Sequence, residues 1–197
     1  MGVATLDGTR QGRRSDKMRQ GAISYFADIV FCPLLALALS LFAFDRYSEQ
    51  IIEWLLILVF GVALWTLVEY FMHRVVYHHV DPFKNYHEAH HANPQAYIGA
   101  PPLVGTSIVF FISFAPLLPV SPVAANGLSA GMLAGYSAYM LVHDACHSRQ
   151  PTLATYLYRL RVRHAVHHYH DDSGNFGVTT EFWDRVFGTN IQSAVDL

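Results

Sequence analysis

The chain has 197 residues and a net charge of −2, and only 14% of its residues are charged, against about 25% in soluble domains. With 52% hydrophobic residues it is not a disordered chain, and its small net charge gives no reason to expect nucleic acid as a partner. Two cysteines, Cys32 and Cys146, exclude a disulfide scaffold. The length suits one domain, and the composition favours a membrane protein.

The N-terminal half predicts a basic tail and two membrane spans. Residues 1–20 carry five Lys or Arg against two Asp, and the uncharged run 29–44 follows. With Tyr25 and Phe26 this run reaches the roughly 20 residues that cross a bilayer. After a polar turn, the uncharged run 54–68 predicts a second span, whose helix is expected to continue to His73.

The next apolar region predicts a hairpin of two further spans. Residues 92–142 contain no Asp, Glu, Lys, Arg or His, which is too long for one span. Three prolines between residues 116 and 122 mark the turn, so the arms are predicted at 97–118 and 123–142. Small residues repeated every four positions let helix backbones approach closely in lipid. The second arm carries such a tandem GxxxG pattern at Gly127, Gly131 and Gly135.

The distribution of positive charge predicts the orientation. Twelve of the thirteen Lys and Arg lie in the N-terminal tail, after the second span or in the C-terminal region, and only Arg46 lies in the opposite loops. Positive residues accumulate on the cytoplasmic side, which would hold both termini and all the histidines. Residues 156–163 predict an interfacial segment, either helix or strand. The predicted fold class is an all-α integral membrane protein, with four transmembrane helices in two hairpins and a cytoplasmic helical cap.

Ten of the twelve histidines fall into four clusters with the spacings HxxxxH, HxxHH, HxxxH and HxxHH. These are His73 and His78; His87, His90 and His91; His143 and His147; and His164, His167 and His168. Since positions three and four apart share a helix face, each HxxHH cluster is expected to present three rings to one point. The pair five apart does not fit this rule. Either the helix loosens there, or the pair straddles the site.

Ten imidazoles exceed the ligands that one metal accepts, so the clusters predict a site for two metals. Neutral nitrogen ligands suit iron, zinc, copper or nickel rather than calcium or magnesium. Beside a bilayer, water is scarce and unactivated C–H bonds are plentiful. A redox metal with O2 attacks such bonds, and oxygenation is therefore the favoured chemistry.

The four clusters, in this order and with the third after the transmembrane hairpin, resemble the fatty acid hydroxylase (sterol desaturase-like) superfamily of membrane di-iron enzymes. The resemblance covers residues 69–190 of a single domain that we expect to span residues 1–197. The segments NFGVTTEFWDRVFGT (175–189) and HHANPQAYIGAPP (90–102) are most similar to the fatty acid 2-hydroxylase branch.

This resemblance implies an O2-dependent oxidoreductase. The ten clustered histidines would ligate two iron ions, for which zinc can substitute, and O2 would be the co-substrate. The substrate would be a membrane lipid, hydroxylated at C2 of an acyl group, with no catalytic residue separate from the ligands. The sequence has no HPGG motif of a fused cytochrome b5 domain, so a separate electron-transfer protein is expected. The oligomeric state is left open.

Four further residues are candidates to support the ligands through hydrogen bonds: Glu69, Asp144, His79 and His170. Glu69 lies one turn before His73 and is expected to hold its ring. Asp144 is expected either in such a role or in a salt bridge to Arg149 or Arg163. The two extra histidines are expected to be supporting or surface residues rather than ligands.

Three other functions stay open at this point. The eight residues between His78 and His87 are closer to the spacing of carotenoid ring hydroxylases, which would use the same site with a wider groove. A four-helix membrane cytochrome would need histidines that face each other within the spans, whereas these lie at the span ends. A metal transporter would need polar groups in mid-membrane, where residues 92–142 are uncharged.

Overall fold

The computed structural model describes residues 19–99, 101–153 and 155–192. The regular elements in this part of the chain are helical, apart from one isolated bridge between Arg19 and Ile98. The all-α prediction is therefore confirmed for these residues. The predicted basic tail lies outside the described residues, except for Arg19 and Gln20.

Two long apolar helices form the N-terminal half, α1 (Ala22–Arg46) and α2 (Ile51–Phe71). Helix α2 follows a short 3-10 turn and continues without a break into a π-helical turn, Met72–Tyr77. Among the described residues, α1 and the stretch Ser48–Tyr77 are the helices long and apolar enough to cross a membrane. Large apolar side chains remain exposed on both of them, which suits a lipid environment.

Five more helices follow: α3 (Phe83–Ala92), α4 (Val104–Phe114), α5 (Pro122–Ser148), α6 (Tyr156–Tyr169) and α7 (Phe182–Val186). Helix α5 is central and packs against α1, α2, α4 and α6. It begins as the prolines predict, because Pro122 is its first residue and Ser121 caps it by accepting a hydrogen bond from the Ala124 N–H at 3.1 Å. The arginine-rich segment is helical, as part of α6.

The third predicted span is wrong in extent. In place of a helix over residues 97–118, α4 has 11 residues, and its length of about 16 Å is well short of the roughly 30 Å hydrocarbon core. Pro101 and Pro102 prevent a regular helix before it, and Leu103 has a left-handed backbone with φ of 63°. The apolar run therefore contains a stretch of turns that its composition does not reveal.

A carboxylate on another helix fixes the start of α4. Asp28 of α1 is buried and accepts hydrogen bonds from the Leu103 N–H at 3.1 Å and the Thr106 N–H at 3.3 Å, and also from the Thr106 hydroxyl. These are the donors that a helix leaves unsatisfied at its N-terminus. The capping group lies 75 residues away in sequence from Leu103, so no local pattern predicts it.

The glycines of α5 lie at its contact with α2, as the GxxxG pattern predicts. A Cβ atom on Gly131 would overlap the Leu58 carbonyl oxygen and lie 2.9 Å from the Cα of Gly61. A Cβ on Gly135 would lie 2.5 Å from the Cβ of Trp65. The two helix backbones therefore touch where the side chains are absent, which favours helix association in lipid.

Gly131→Ala should destabilise this helix pair by about 1–3 kcal/mol, because the added methyl group meets backbone atoms that cannot rotate away. A glycine-to-alanine change in an uncrowded helix has the opposite sign, a gain of about 1 kcal/mol. Thermal unfolding in detergent measures the difference. Gly21→Ala is the control for the added methyl group alone, since Gly21 precedes α1 as its N-cap residue and its Cβ would meet no atom within 4 Å. An unchanged unfolding temperature for Gly131→Ala would contradict the close contact.

The C-terminal region folds back onto α2. The Trp183 indole N–H donates a hydrogen bond to the Thr66 hydroxyl at 2.9 Å, and the Phe187 ring stacks on Tyr70 with 5.2 Å between centroids. These contacts place residues 174–190 beside the end of α2, where the first histidines lie.

Candidate metal centre

Ten histidine rings converge in two groups of five where α2 and α5 end. Within each group, every residue offers one ring nitrogen, and the five nitrogens lie within 4.8 Å of one another. The first group is His73, His78, His87, His91 and His167. The second group is His90, His143, His147, His164 and His168. The structure thus brings together all ten residues of the four clusters.

The π-helical turn explains the five-residue spacing of His73 and His78. Hydrogen bonds in a π-helix run between residues five apart, which brings such residues onto one face. The two rings are stacked, with 5.5 Å between centroids. Of the two alternatives, loosening of the helix is the correct one. Regular helix α5 also brings two rings together, those of His143 and His147, which are four residues apart and meet edge to face at 4.8 Å between centroids.

Each HxxHH cluster divides its rings between the two groups, so the prediction that three rings meet at one point is wrong. On α3, His87 and His91 belong to the first group and His90 to the second. Helix α6 does the reverse, with only His167 in the first group. Residues four apart share a face, whereas the adjacent residue is rotated by about 100° and reaches the other group.

The ring nitrogens of the first group are too crowded to be explained by hydrogen bonds among themselves. The Nε2 atom of His87 lies 3.2, 3.1 and 3.0 Å from the Nε2 atoms of His73, His78 and His91. A neutral ring nitrogen has either one proton or one lone pair and cannot bond to all three. Neighbouring nitrogens around a metal with bonds of about 2.1 Å lie about 3 Å apart. The donor set therefore fits a metal ion.

The second group has the same character. The Nε2 atom of His147 lies 3.1 Å from that of His90 and 2.9 Å from that of His164. Both ring nitrogens of His168 are buried without a hydrogen-bond partner in the described chain. A buried polar atom without a partner is costly unless another ligand satisfies it, so this group also fits a metal.

The rings are neutral at physiological pH. Burial first, and then the neighbouring imidazoles, lower the pKa of His91 to about 3. The same causes lower the pKa values of His87, His164 and His168 well below their ordinary value. Neutral imidazole is the form in which histidine binds a metal, so no proton has to be displaced from these rings at pH 7.

Backbone carbonyls orient two rings of the first group. The His73 Nδ1 lies 2.6 Å from the Phe176 carbonyl oxygen, and the His167 Nδ1 lies 2.8 Å from the Gly174 carbonyl oxygen. Because a carbonyl only accepts, each Nδ1 carries the proton and each Nε2 keeps its lone pair. Sequence reasoning missed these two groups, although Phe176 lies in the NFGVTTEFWDRVFGT segment.

The sequence predicted that Glu69 holds the His73 ring, and this prediction is wrong, because the Glu69 carboxylate contacts other groups. Its carboxylate accepts hydrogen bonds from the Val178 N–H at 2.7 Å, the Thr179 N–H at 2.8 Å and the Thr179 hydroxyl at 2.6 Å. A buried carboxylate needs several donors, and this segment supplies three. The Phe176 carbonyl takes the predicted place of the carboxylate on His73.

The other candidate residues belong to neither of the two groups. Asp144 accepts a hydrogen bond from the Ser148 hydroxyl at 3.1 Å. Of its two expected partners, Arg163 is 1% exposed and pairs instead with Asp184, which is fully buried, at 3.3 Å, and Arg149 forms no ion pair with it among the described residues. His79 and His170 are exposed and belong to neither group.

Comparison with known proteins gives matches over most of the described chain. A model of the fatty acid hydroxylase family matches residues 58–189. Fatty acid 2-hydroxylase of Rattus norvegicus is 32% identical over 149 residues, which are 70% of this chain and 40% of the rat protein. Dihydroceramide fatty acyl 2-hydroxylase FAH2 of Arabidopsis thaliana is 34% identical over 145 residues, 68% of this chain and 60% of the plant protein.

A solved structure is also similar. Full-length scs7p, of which only the hydroxylase domain is visible, superposes with a TM-score of 0.69 at 23% identity, over 89% of this chain and 68% of that chain. At this identity the likeness concerns the fold. The chain matches 40% and 60% of the length of the rat and plant proteins.

Proposed function

Because the chain belongs to the fatty acid hydroxylase family, we propose that it is a membrane oxidoreductase that hydroxylates a lipid acyl chain at C2. The observation that carries this proposal is the pair of five-histidine groups. The rat and plant relatives are named as fatty acid and fatty acyl 2-hydroxylases, which favours an acyl chain over a carotenoid ring. A membrane cytochrome is not favoured, because five convergent nitrogens exceed the axial ligands of a haem.

Each group would hold one iron ion through its five Nε2 or Nδ1 donors. Five neutral nitrogens exceed the four ligands that zinc takes and suit iron, although zinc can occupy the same donors. When bound, the iron pair would supply the redox chemistry that inserts one atom of O2 into a C–H bond, with two electrons and two protons converting the other atom to water. A separate electron-transfer protein would deliver the electrons.

The residues of this chain would position the reactants and keep water away. The Phe176 ring lies between 5.6 and 5.7 Å from the rings of His73, His78 and His167 and covers that side of the first group. On the second group, the Tyr139 ring stacks on His143 at 5.6 Å. Tyr139 would therefore line the path of the acyl chain as it approaches along α5.

We place the whole chain, residues 1–197, in one membrane-embedded domain of two hairpins. Helices α1, α2 and α5 would form three spans, and the short helix α4, together with the turns on either side of it, would complete the fourth crossing, with the Asp28 cap at the start of α4. Helices α3, α6 and α7 would form the cap. Lys and Arg are concentrated in the N-terminal tail, after the second span and in the C-terminal region, which supports a cytoplasmic position for both termini and the histidines.

Lipid mass spectrometry under heavy-isotope oxygen gas tests the proposal. Cells that express the chain should contain acyl lipids with one heavy oxygen atom at C2, located by fragmentation. His167→Ala should abolish the label, whereas the exposed neighbour His170→Ala should retain it. Acyl lipids that stay unlabelled in cells producing folded wild-type protein would overturn the proposal.

A further inference from the structure

The C-terminal segment of residues 174–179 lies on the first histidine group. Two of its carbonyl oxygens accept the Nδ1 protons of His73 and His167. Between them lies Asn175, which is fully buried and left-handed, with φ of 56°. This conformation reverses the chain locally, so that the carbonyls on both sides of Asn175 reach the same group.

Two buried carboxylates hold four consecutive amides of this segment. Asp184 accepts hydrogen bonds from the Phe176 N–H through Oδ1 and from the Gly177 N–H through Oδ2, both at 2.9 Å. Glu69 accepts the next two N–H groups, as described above. Asp184 is 0% exposed and Glu69 is 3% exposed. The position of the Phe176 carbonyl therefore depends on these carboxylates, whereas the Gly174 carbonyl belongs to the peptide whose Asn175 N–H donates to the Thr189 carbonyl oxygen at 2.9 Å.

Asp184 is itself fixed from three directions. Besides the two amides, it accepts a hydrogen bond from the Thr189 hydroxyl at 2.8 Å and pairs with Arg163 at 3.3 Å. Arg163 precedes a histidine of the second group on α6, yet all the amides that Asp184 holds belong to the segment on the first group. A buried carboxylate with four partners is a rigid anchor.

The second group has no comparable support in the described residues. The Nδ1 atoms of His164 and His168 are buried without a hydrogen-bond partner. Their rings are placed by packing and by the other imidazoles, and nothing fixes which nitrogen carries the proton. The two groups thus have the same donors and different surroundings.

From this contrast we infer that the two metal sites are not equivalent: the first group binds its metal more tightly, and Asp184 is a positioning residue for that group alone. The inference rests on the proposed metal centre. A hydrogen bond from Nδ1–H to a carbonyl fixes the tautomer and makes Nε2 a stronger donor, and loss of such a partner lowers metal affinity by about 10–100-fold.

Metal release from purified protein in detergent tests this inference. The protein is loaded with Zn²⁺, and transfer of zinc to a coloured chelator is followed over time. The wild type should release its zinc in two phases of equal amplitude, with rates at least about 10-fold apart. Asp184→Asn, which cannot accept from both amides and Arg163, should accelerate the slow phase about 10-fold and leave the fast phase unchanged.

Glu181→Gln is the matched control, because Glu181 lies 3.5 Å from the same arginine but accepts none of the four amides. It should keep both phases. His78→Ala should remove the slow phase and His147→Ala the fast one. If Asp184→Asn does not fold, Thr179→Val, which removes one hydrogen bond from Glu69, should accelerate the same phase.

A single release rate for all zinc in the wild type would overturn the inference, as would a folded Asp184→Asn with an unchanged slow phase. Wild-type protein that binds no zinc and no iron would overturn the proposed function itself. The two failures are therefore distinguishable in one assay.

Discussion

His87→Ala should abolish acyl hydroxylation, with a loss of at least about 100-fold, since even the partners of metal ligands contribute 10–100-fold. The Nε2 atom of His87 lies within 3.2 Å of three other ring nitrogens of the first group. The substitution removes one of the five ring nitrogens that would hold the metal of the first group. We expect the metal content to fall from two equivalents to one, measured by elemental analysis of the purified protein together with labelled product.

His79→Ala is the control for this prediction, because His79 lies in the same part of the chain but is exposed and belongs to neither group. It should retain two equivalents of metal and wild-type activity. Retention of full metal content by His87→Ala would show that the first group is not a metal site.

Arg163→Met should lower the stability of the protein by about 3–5 kcal/mol, because it leaves a buried carboxylate without its counter-charge. Arg163 is 1% exposed and contacts Asp184, which is 0% exposed. For a chain of this size the change corresponds to a fall of about 6–20 °C in unfolding temperature. Thermal unfolding in detergent, followed by tryptophan fluorescence, measures it.

Arg159→Met is the matched control, since Arg159 lies on the same helix as Arg163. It contacts Glu181 at 3.4 Å, a carboxylate that Arg163 also contacts, at 3.5 Å. It is 42% exposed, and exposed ion pairs contribute about 0–1 kcal/mol. Its unfolding temperature should therefore stay within about 4 °C of the wild type. Equal shifts for the two variants would mean that the buried pair is not a specific anchor.

Features that depend on residues close in sequence were predictable. Pro122 and Gly131 mark the start of α5 and its contact with α2, because proline and glycine act on their own backbone. The ten clustered histidines stood out because helix periodicity places residues four apart, such as His87 and His91, on one face. For His73 and His78 the spacing allowed two arrangements, and the structure selects the π-helical one.

Features that depend on contacts between distant segments were not predictable from one sequence. The division of each HxxHH cluster between two groups depends on how α3 and α6 approach each other, which the spacing does not contain. The Asp28 cap on α4 and the Asp184 contacts with Phe176 and Gly177 need the folded chain. Spacing placed Glu69 near His73, but the C-terminal segment supplies better partners for its carboxylate.

The π-helical turn at Met72–Tyr77 acts as a one-residue insertion that the backbone absorbs. An extra residue in a regular α-helix would rotate everything after it by about 100° and carry His78 to a different face. The wider turn takes up this rotation within six residues, so that the pair at the end of α2, like the pair at the end of α5, lies in one group of five. Gap lengths between histidines are therefore comparable among such proteins only after the helix type at each gap is known, since HxxxxH on a π-turn and HxxxH on an α-helix each bring two rings into one group.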